Sequence, residues 1–335
     1  MIKVGLIGCG FMGGMHAACY EALAALDVKV TAVADVRPEF AKKLAGEGVA
    51  IYETGMELID KADVDVVDIC LPTHLHTAHA VAAMKAGKNV FVEKPICIQE
   101  DEMALLLTTE KETGAKVQVG QVIRQWSEYM WLKQAVESNV YGKVLHGHFR
   151  RLSSFPAWAW ENWLHQVEKS GGLAIDMHIH DVDFVRYILG DPDTVKAQAY
   201  RDEKGVIQQI NALYGYGNNV SISVEAGWNY PVDFPFTADF RVKFEKATVV
   251  FSEGVLTLYL NEGGIVVPEL AEEFQGDNNI GGNVSSLGGY YNELKYFVEG
   301  LQGKNDLSIA TVREAIASVK LVKKEVEAAG GLVLK

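Results

Sequence analysis

Over the N-terminal third of the chain, short apolar runs alternate with stretches whose apolar positions recur at helical spacing. This is the βαβ rhythm of a parallel sheet covered by helices on both faces. The runs Lys3–Ile7, Lys29–Ala34, Val49–Tyr52, Val64–Cys70, Asn89–Val92 and Lys116–Val119 predict strands. Between the first two, Met15, Ala18, Cys19, Ala22, Leu23 and Leu26 form one apolar stripe, so a helix there must pack on the sheet. Further helices are predicted over Pro38–Gly46, Thr54–Lys61, His76–Ala86 and Gln99–Thr113. Strands joined by helical crossovers in this way make a doubly wound α/β unit, expected over residues 1–123.

Beyond Gly120 the pattern changes. A helix is predicted over Ser127–Ser138, a strand over Lys143–Leu152 and a helix over Leu173–Leu189. In Val220–Val224, in Leu256–Leu260 and through Phe240, Val242 and Phe244, apolar residues alternate with others, as in antiparallel strands with one buried face. Residues 124–335 are therefore expected to form an α+β domain on an open, mainly antiparallel sheet, closed by helices near Gly289–Gly300 and Thr311–Ala329. Asp277–Gly289, rich in Gly, Asn and Ser, reads as a mobile loop.

Composition narrows the partners. Lys and Arg total 31 against 44 Asp and Glu, and the net charge of −13 argues against nucleic acid and anionic membranes. No window approaches the ~18 uninterrupted apolar residues of a membrane span. The apolar run Val4–Met15 after Lys3 has features of a secretion leader, but its glycines have a better explanation in a ligand-binding turn. Cys9, Cys19, Cys70 and Cys97 have neither Cys-x-x-Cys spacing nor the density of a disulfide scaffold, which fits a reducing cytoplasm.

That turn is Gly8-Cys9-Gly10-Phe11-Met12-Gly13, a G-x-G-x-x-G sequence between the first strand and the first helix. The next strand ends at Asp35, 22 residues beyond Gly13. Glycine permits the tight turn and the close approach of a pyrophosphate to the helix N-terminus, and an acid at this distance suits the ribose hydroxyls of a dinucleotide. A carboxylate there favours NAD over NADP, although Arg37, two residues on, can offset its repulsion of a 2′-phosphate. The rim at the carboxyl ends of the sheet also receives Leu71, Pro72, Thr73 and His76 after the fourth strand, and Glu93 and Lys94 after the fifth. Lys94 reads either as a group facing a nicotinamide or as a surface lysine before the turn-forming Pro95.

In the second half, Asp176 and His180 are spaced i, i+4 on a predicted helix and share a face. A histidine beside an acid suits proton transfer near neutral pH, while the same spacing also occurs in purely structural pairs. Aromatic residues crowd Phe155–Trp163, and Trp158 and Trp163 could wall a sugar site or serve core and subunit contacts. Arg124 is a further substrate-binding candidate. The spacing of His74, His76 and His79 and of Asp176, His178, His180 and Asp181 raises a metal-dependent hydrolase as a rival reading, which gives no reason for the dinucleotide turn. His178 lies two positions from Asp176 and from His180, so on a helix it points away from their face, and no metal ligand is assigned. A non-enzymatic NAD(P) sensor or co-repressor is a second rival; it has no need of a proton shuttle.

The N-terminal G-x-G-x-x-G, Glu93-Lys94-Pro95, and Gly171-Gly172 followed by Asp176 and His180 resemble the Gfo/Idh/MocA oxidoreductases along almost the whole chain. The resemblance implies a Rossmann domain for NAD(P), a second domain for substrate binding and association into a dimer or tetramer, and Lys94, Asp176 and His180 around the reacting carbon. It also implies oxidation of a secondary alcohol on a cyclic polyol, sugar or glycoside to a ketone.

Overall fold

The computed structural model describes residues 1–157, 159–217, 219–271, 274 and 287–331. The chain forms two compact units, one from Met1–Trp126 with Glu273–Ile316 and the other from Ser127–Glu272 with Ala317–Lys335.

In the first unit the strands β1 (Ile2–Ile7), β2 (Val28–Ala34), β3 (Ala50–Tyr52), β4 (Val66–Ile69), β5 (Asn89–Glu93) and β6 (Val117–Gly120) form a parallel sheet in the order β3-β2-β1-β4-β5-β6. The helices α1 (Phe11–Ala22), α2 (Pro38–Leu44), α3 (Gly55–Lys61), α4 (His76–Lys85) and α5 (Glu100–Thr113) make the crossovers. Strand order reverses between β1 and β4, so a crevice for ligands opens at their carboxyl ends. The central strands are apolar without alternation because both faces are covered: every residue of β4 and β6 is buried. Local signals set the helix starts, as where Thr54 Oγ1 accepts the Glu57 amide at 3.1 Å and where Pro38 opens α2. The first helix stops earlier than its apolar stripe. After Ala22 the chain tightens into a 3₁₀ turn over Ala24–Leu26, and Asp27 takes a left-handed conformation (φ 57°) that reverses the chain into β2.

The second unit opens with α6 (Ser127–Ser138), β7 (Val144–Ser154) and α7 (Val167–Ser170), followed by a π-helical turn, Ala174–His178, that runs into α8 (Ile179–Leu189). Next come β8 (Thr194–Arg201), β9 (Ile207–Tyr216), β10 (Val220–Tyr230), β11 (Thr237–Phe244), β12 (Ala247–Ser252), β13 (Val255–Leu260) and β14 (Ile265–Val266). With β7 they form an eight-stranded sheet in the order β14-β13-β12-β11-β7-β10-β9-β8, antiparallel except where β7 and β10 run parallel. One face packs on the helices through an aromatic core: the Tyr129 ring lies edge-on to Phe184 at 4.8 Å and to Phe240 at 5.1 Å. The other face leaves Tyr200 and Leu213 60% and 46% exposed.

Two helices close the chain. α9 (Gly288–Leu301) belongs to the first unit, where it packs on α1, and α10 (Val312–Ala328) begins in the first unit and continues into the second. Of the expected loop Asp277–Gly289, residues 277–286 lie outside the described residues, and Gly289 stands in the first turn of α9. Among the described residues no helix is long and apolar enough to cross a membrane.

Candidate active site

Gly8 turns the chain out of β1 at φ +91°, and a Cβ there would stand 2.4 Å from the Cys70 carbonyl oxygen. On Gly13 it would stand 1.9 Å from the Gly8 carbonyl oxygen, so the helix packs on the strand more closely than a side chain permits. Gly10, the N-cap of α1, is the opposite case: the nearest atom to a Cβ there would be Arg37 Nη2 at 3.6 Å. A tight turn, a helix packed hard against its strand and an open backbone between them are the three demands that a dinucleotide pyrophosphate makes of such a loop. The residues present therefore fit NAD. Phe11 and Met12 follow Gly10 in the first turn of α1, both half-buried.

Asp35, immediately after β2, accepts the Cys9 amide on Oδ2 at 2.8 Å and the Arg37 amide on Oδ1 at 2.8 Å. Its carboxylate thus ties the phosphate loop to the end of β2. The Arg37 guanidinium also pairs with it, Nε to Oδ1 at 3.1 Å, and lies 3.9 Å from the Phe40 ring centre. Part of the negative charge facing a ribose is therefore balanced within the protein.

At the ends of β4 and β5, His76 is fully buried and joins two backbone segments: Nδ1 lies 2.8 Å from the Pro95 carbonyl oxygen and Nε2 2.6 Å from that of Leu71. Burial pushes its pKa below the ordinary histidine value. Leu71 and Pro72 are half-buried and Thr73 is buried, so this loop stands at the rim. Lys94 is half-buried, and its amide donates to Glu93 Oε2 at 3.2 Å. Arg124 lies in the same unit but is 3% exposed, inside the turn Val122–Gln125.

In the second unit, Asp176 falls in the π-helical turn and His180 in the first turn of α8. From Gly171 to Val185 these two are the residues that are not buried. Every other polar residue of that stretch is spent inside: His178 Nε2 lies 3.1 Å from Glu325 Oε2, Asp181 receives the Arg151 guanidinium, and Asp183 accepts Ser318 Oγ at 2.7 Å. The Tyr214 hydroxyl donates to the same Glu325 carboxylate. His178 is therefore buried where Asp176 and His180 are only half-buried, and the hydrogen bonds of Arg151 to Asp181 and of Ser318 to Asp183 hold the segment that carries them. Trp163 is half-buried in a kinked turn over Trp160–His165, and Phe155 stacks on His165 with ring centres 3.5 Å apart. Trp158 lies outside the described residues.

Residues 2–121 match the model of an oxidoreductase family with an NAD-binding Rossmann fold, GFO/IDH/MocA, and residues 129–256 match the C-terminal domain of the same family. The inositol 2-dehydrogenase/D-chiro-inositol 3-dehydrogenase of Shouchella clausii is 31% identical over 252 residues, which cover 68% of this chain and 70% of that protein. The chain belongs to the GFO/IDH/MocA oxidoreductase family. Its Rossmann unit is an NAD-binding domain. The inositol 2-dehydrogenase of Rhizobium meliloti is 32% identical over 200 residues, which span 59% of this chain and 58% of that relative. A levoglucosan dehydrogenase solved with NADH and levoglucosan superimposes with a TM-score of 0.82 over 98% of this chain and 97% of that one, at 22% identity, and shares the fold.

One feature of this family member escapes sequence reasoning. His16, three residues past Gly13, is fully buried, its Nδ1 2.9 Å from Asp68 Oδ2 and its Nε2 3.1 Å from Glu93 Oε1. The available signal is a histidine on the same face of α1 as the apolar Met15, Cys19 and Tyr20. Its partners lie 52 and 77 residues away, out of reach of any local pattern.

Proposed function

We propose that this chain is an NAD-dependent dehydrogenase that interconverts a secondary alcohol and a ketone on a cyclic polyol, sugar or glycoside. The observation that carries this reading is that Asp176 and His180 alone are only half-buried on an otherwise buried segment. A fold that commits His178, Asp181 and Asp183 to its interior while leaving an acid and an imidazole accessible presents a proton-transfer pair. The dinucleotide turn supplies the companion requirement, a place for a hydride acceptor. Bound NAD would take the hydride at C4 of its nicotinamide. His180 then serves as the base for the hydroxyl proton, since an imidazole ordinarily titrates near neutral pH. Lys94 donates to the oxygen on which negative charge develops. Asp176 orients substrate or His180. In this assignment the first unit binds the cofactor, and the second binds substrate and self-associates. Relatives named inositol and levoglucosan dehydrogenases support the substrate class. NADH production across a panel of inositols, hexoses, glycosides and nucleotide sugars tests the reading; if every member is inert while NAD binds, the sensor reading replaces it.

NAD is expected to bind more tightly than NADP. Because Asp35 also holds Arg37, Asp35→Ser removes a repulsive carboxylate and releases a cation at once. The affinity gap should narrow by about 1–2 kcal/mol, the scale of a hydrogen bond to a charged group. Titrating both cofactors into both proteins checks this, and equal affinities in the unchanged protein would remove the role given to Asp35.

Self-association through the outer face of the second unit's sheet is the remaining element. That face carries the exposed Tyr200, Leu213 and Tyr259 and a 590 Å³ groove lined in part by His146, His148, Arg150 and Arg241. A second copy of the chain fits a broad surface of this mixed character, giving a homodimer or homotetramer. Light scattering at micromolar concentration should show more than the monomer; monomer alone would dismiss the assignment. The four thiols, none in a disulfide, suit a cytoplasmic setting.

A further inference from the structure

Beneath the carboxyl ends of β4 and β5 lies a cluster of ionisable groups that the proposed reaction does not use: His16, Asp68, Cys70, Glu93 and Glu293. His16 and Asp68 have no exposed surface, Glu293 has 1%, and Glu93 has 7%. Cys70 Sγ stands 3.2 Å from His16 Nδ1. Burial by itself would lower the His16 pKa, but the Asp68 carboxylate and Cys70 outweigh it and hold the ring well above its ordinary value. Burial, reinforced by Glu93, pushes the Glu293 pKa well above the usual carboxylate range.

Such a cluster is a poor way to stabilise a core. Well-packed apolar residues commonly do as well as a buried ion pair or better, because burying charge is costly. Its connections suggest a different use. Asp68 on β4 faces one nitrogen of His16, and Glu93 at the end of β5 faces the other. The second oxygen of Glu93 accepts the amide of Lys94. A continuous line of hydrogen bonds therefore runs from β4 through a side chain of α1 to the backbone of the residue assigned to stabilise the substrate oxygen. A Cβ on Gly120 would lie 3.1 Å from Glu93 Oε1, so β6 closes in on the carboxylate from its other side.

We propose that His16 is a positioning residue for Lys94: held by Asp68, it fixes the Glu93 carboxylate, which in turn fixes the Lys94 backbone. The proposal rests on the catalytic assignment of Lys94 above. Misplacing a reacting group by about 1 Å can cost as much as 100-fold in rate, so loosening this line through its second link should cost about 10-fold. The rate should fall without a matching loss of cofactor affinity, because neither His16 nor Glu93 belongs to the glycine turn.

The test is a double-mutant cycle on the full chain, with His16→Gln made alone and in Lys94→Ala. Turnover is read with the polyol or sugar that gives most NADH in the panel, and NAD affinity is read by titration. His16→Gln is expected to lower kcat about 10-fold with the NAD Kd changed less than 3-fold, and to lower it less than 2-fold further in Lys94→Ala. Glu93→Gln keeps an acceptor for the Lys94 amide but weakens the bond to His16; it should give a smaller loss with the same non-additivity, and it carries the test if His16→Gln does not fold. An equal factor in both backgrounds, or a fall in kcat matched by a fall in NAD affinity, overturns the proposal and leaves His16 a structural residue. The donor atoms of His16, Glu93 and Glu293 lie within 4.8 Å of one another, so stoichiometric divalent metal in chelator-free protein would overturn it in favour of a metal centre. Normal turnover in Lys94→Ala itself would remove the underlying assignment before the cycle is read.

Discussion

Replacing His180 or Lys94 with alanine is expected to lower kcat about 100-fold or more while NAD still binds. The size follows from the kind of help each group gives: a positioned base contributes about 10²- to 10⁴-fold, and a fixed donor to a developing oxyanion about 10²- to 10³-fold. Cofactor binding should survive both changes. His180 belongs to the other unit from the phosphate loop, and the glycine turn, α1 and Asp35 are formed without the Lys94 side chain. The two measurements should therefore separate, with turnover lost and NAD titration little changed. Turnover within a few-fold of the unchanged protein in either variant would sink the assignment of that residue.

The largest stability effect is expected at Asp181, directly after His180. Arg151 on β7 grips its carboxylate with Nε to Oδ2 at 2.8 Å and Nη2 to Oδ1 at 3.2 Å, and the two side chains are 3% and 0% exposed. Asp181→Ala leaves a guanidinium buried without its carboxylate, and breaking a buried pair from one side costs about 3–5 kcal/mol. For a unit of this size that lowers Tm by on the order of 10 °C. Replacing both partners with apolar residues of similar volume should recover much of the loss, because the penalty belongs mainly to the stranded charge. Thermal unfolding of the single and double variants checks both points. A shift under 2 °C for Asp181→Ala would mean that the pair does not hold the Asp176–His180 segment in place.

Much of this protein is written locally. Gly8 and Gly13 are legible because close backbone contacts leave no room for a side chain there, Gly10 because an open backbone between them suits a pyrophosphate, and Asp35 because one helix and one strand set its distance from them. The six parallel strands and the alternating strands of the second unit follow from the period of apolar positions, which depends only on whether one face or both are covered. Asp176 and His180 stand out by helical spacing, although that spacing gives no sign that the segment opens with a π-helical turn or that they alone remain accessible in it.

What the sequence could not determine depends on pairings between distant residues. His16, Asp68, Glu93 and Glu293 come from α1, β4, β5 and α9, and no local pattern relates four polar residues so far apart. The return of α9 to the first unit has the same origin: its apolar face is plain in the sequence, but the surface that receives it, on α1 and the turn Val122–Gln125, exists only once the sheet has formed. The burial of Arg124, His178 and Asp181 was likewise decided by tertiary structure. A charged or polar side chain can enter a core only where another element brings its partner, and for His178 and Asp181 those partners, Glu325 and Arg151, are set by the packing of α10 and β7.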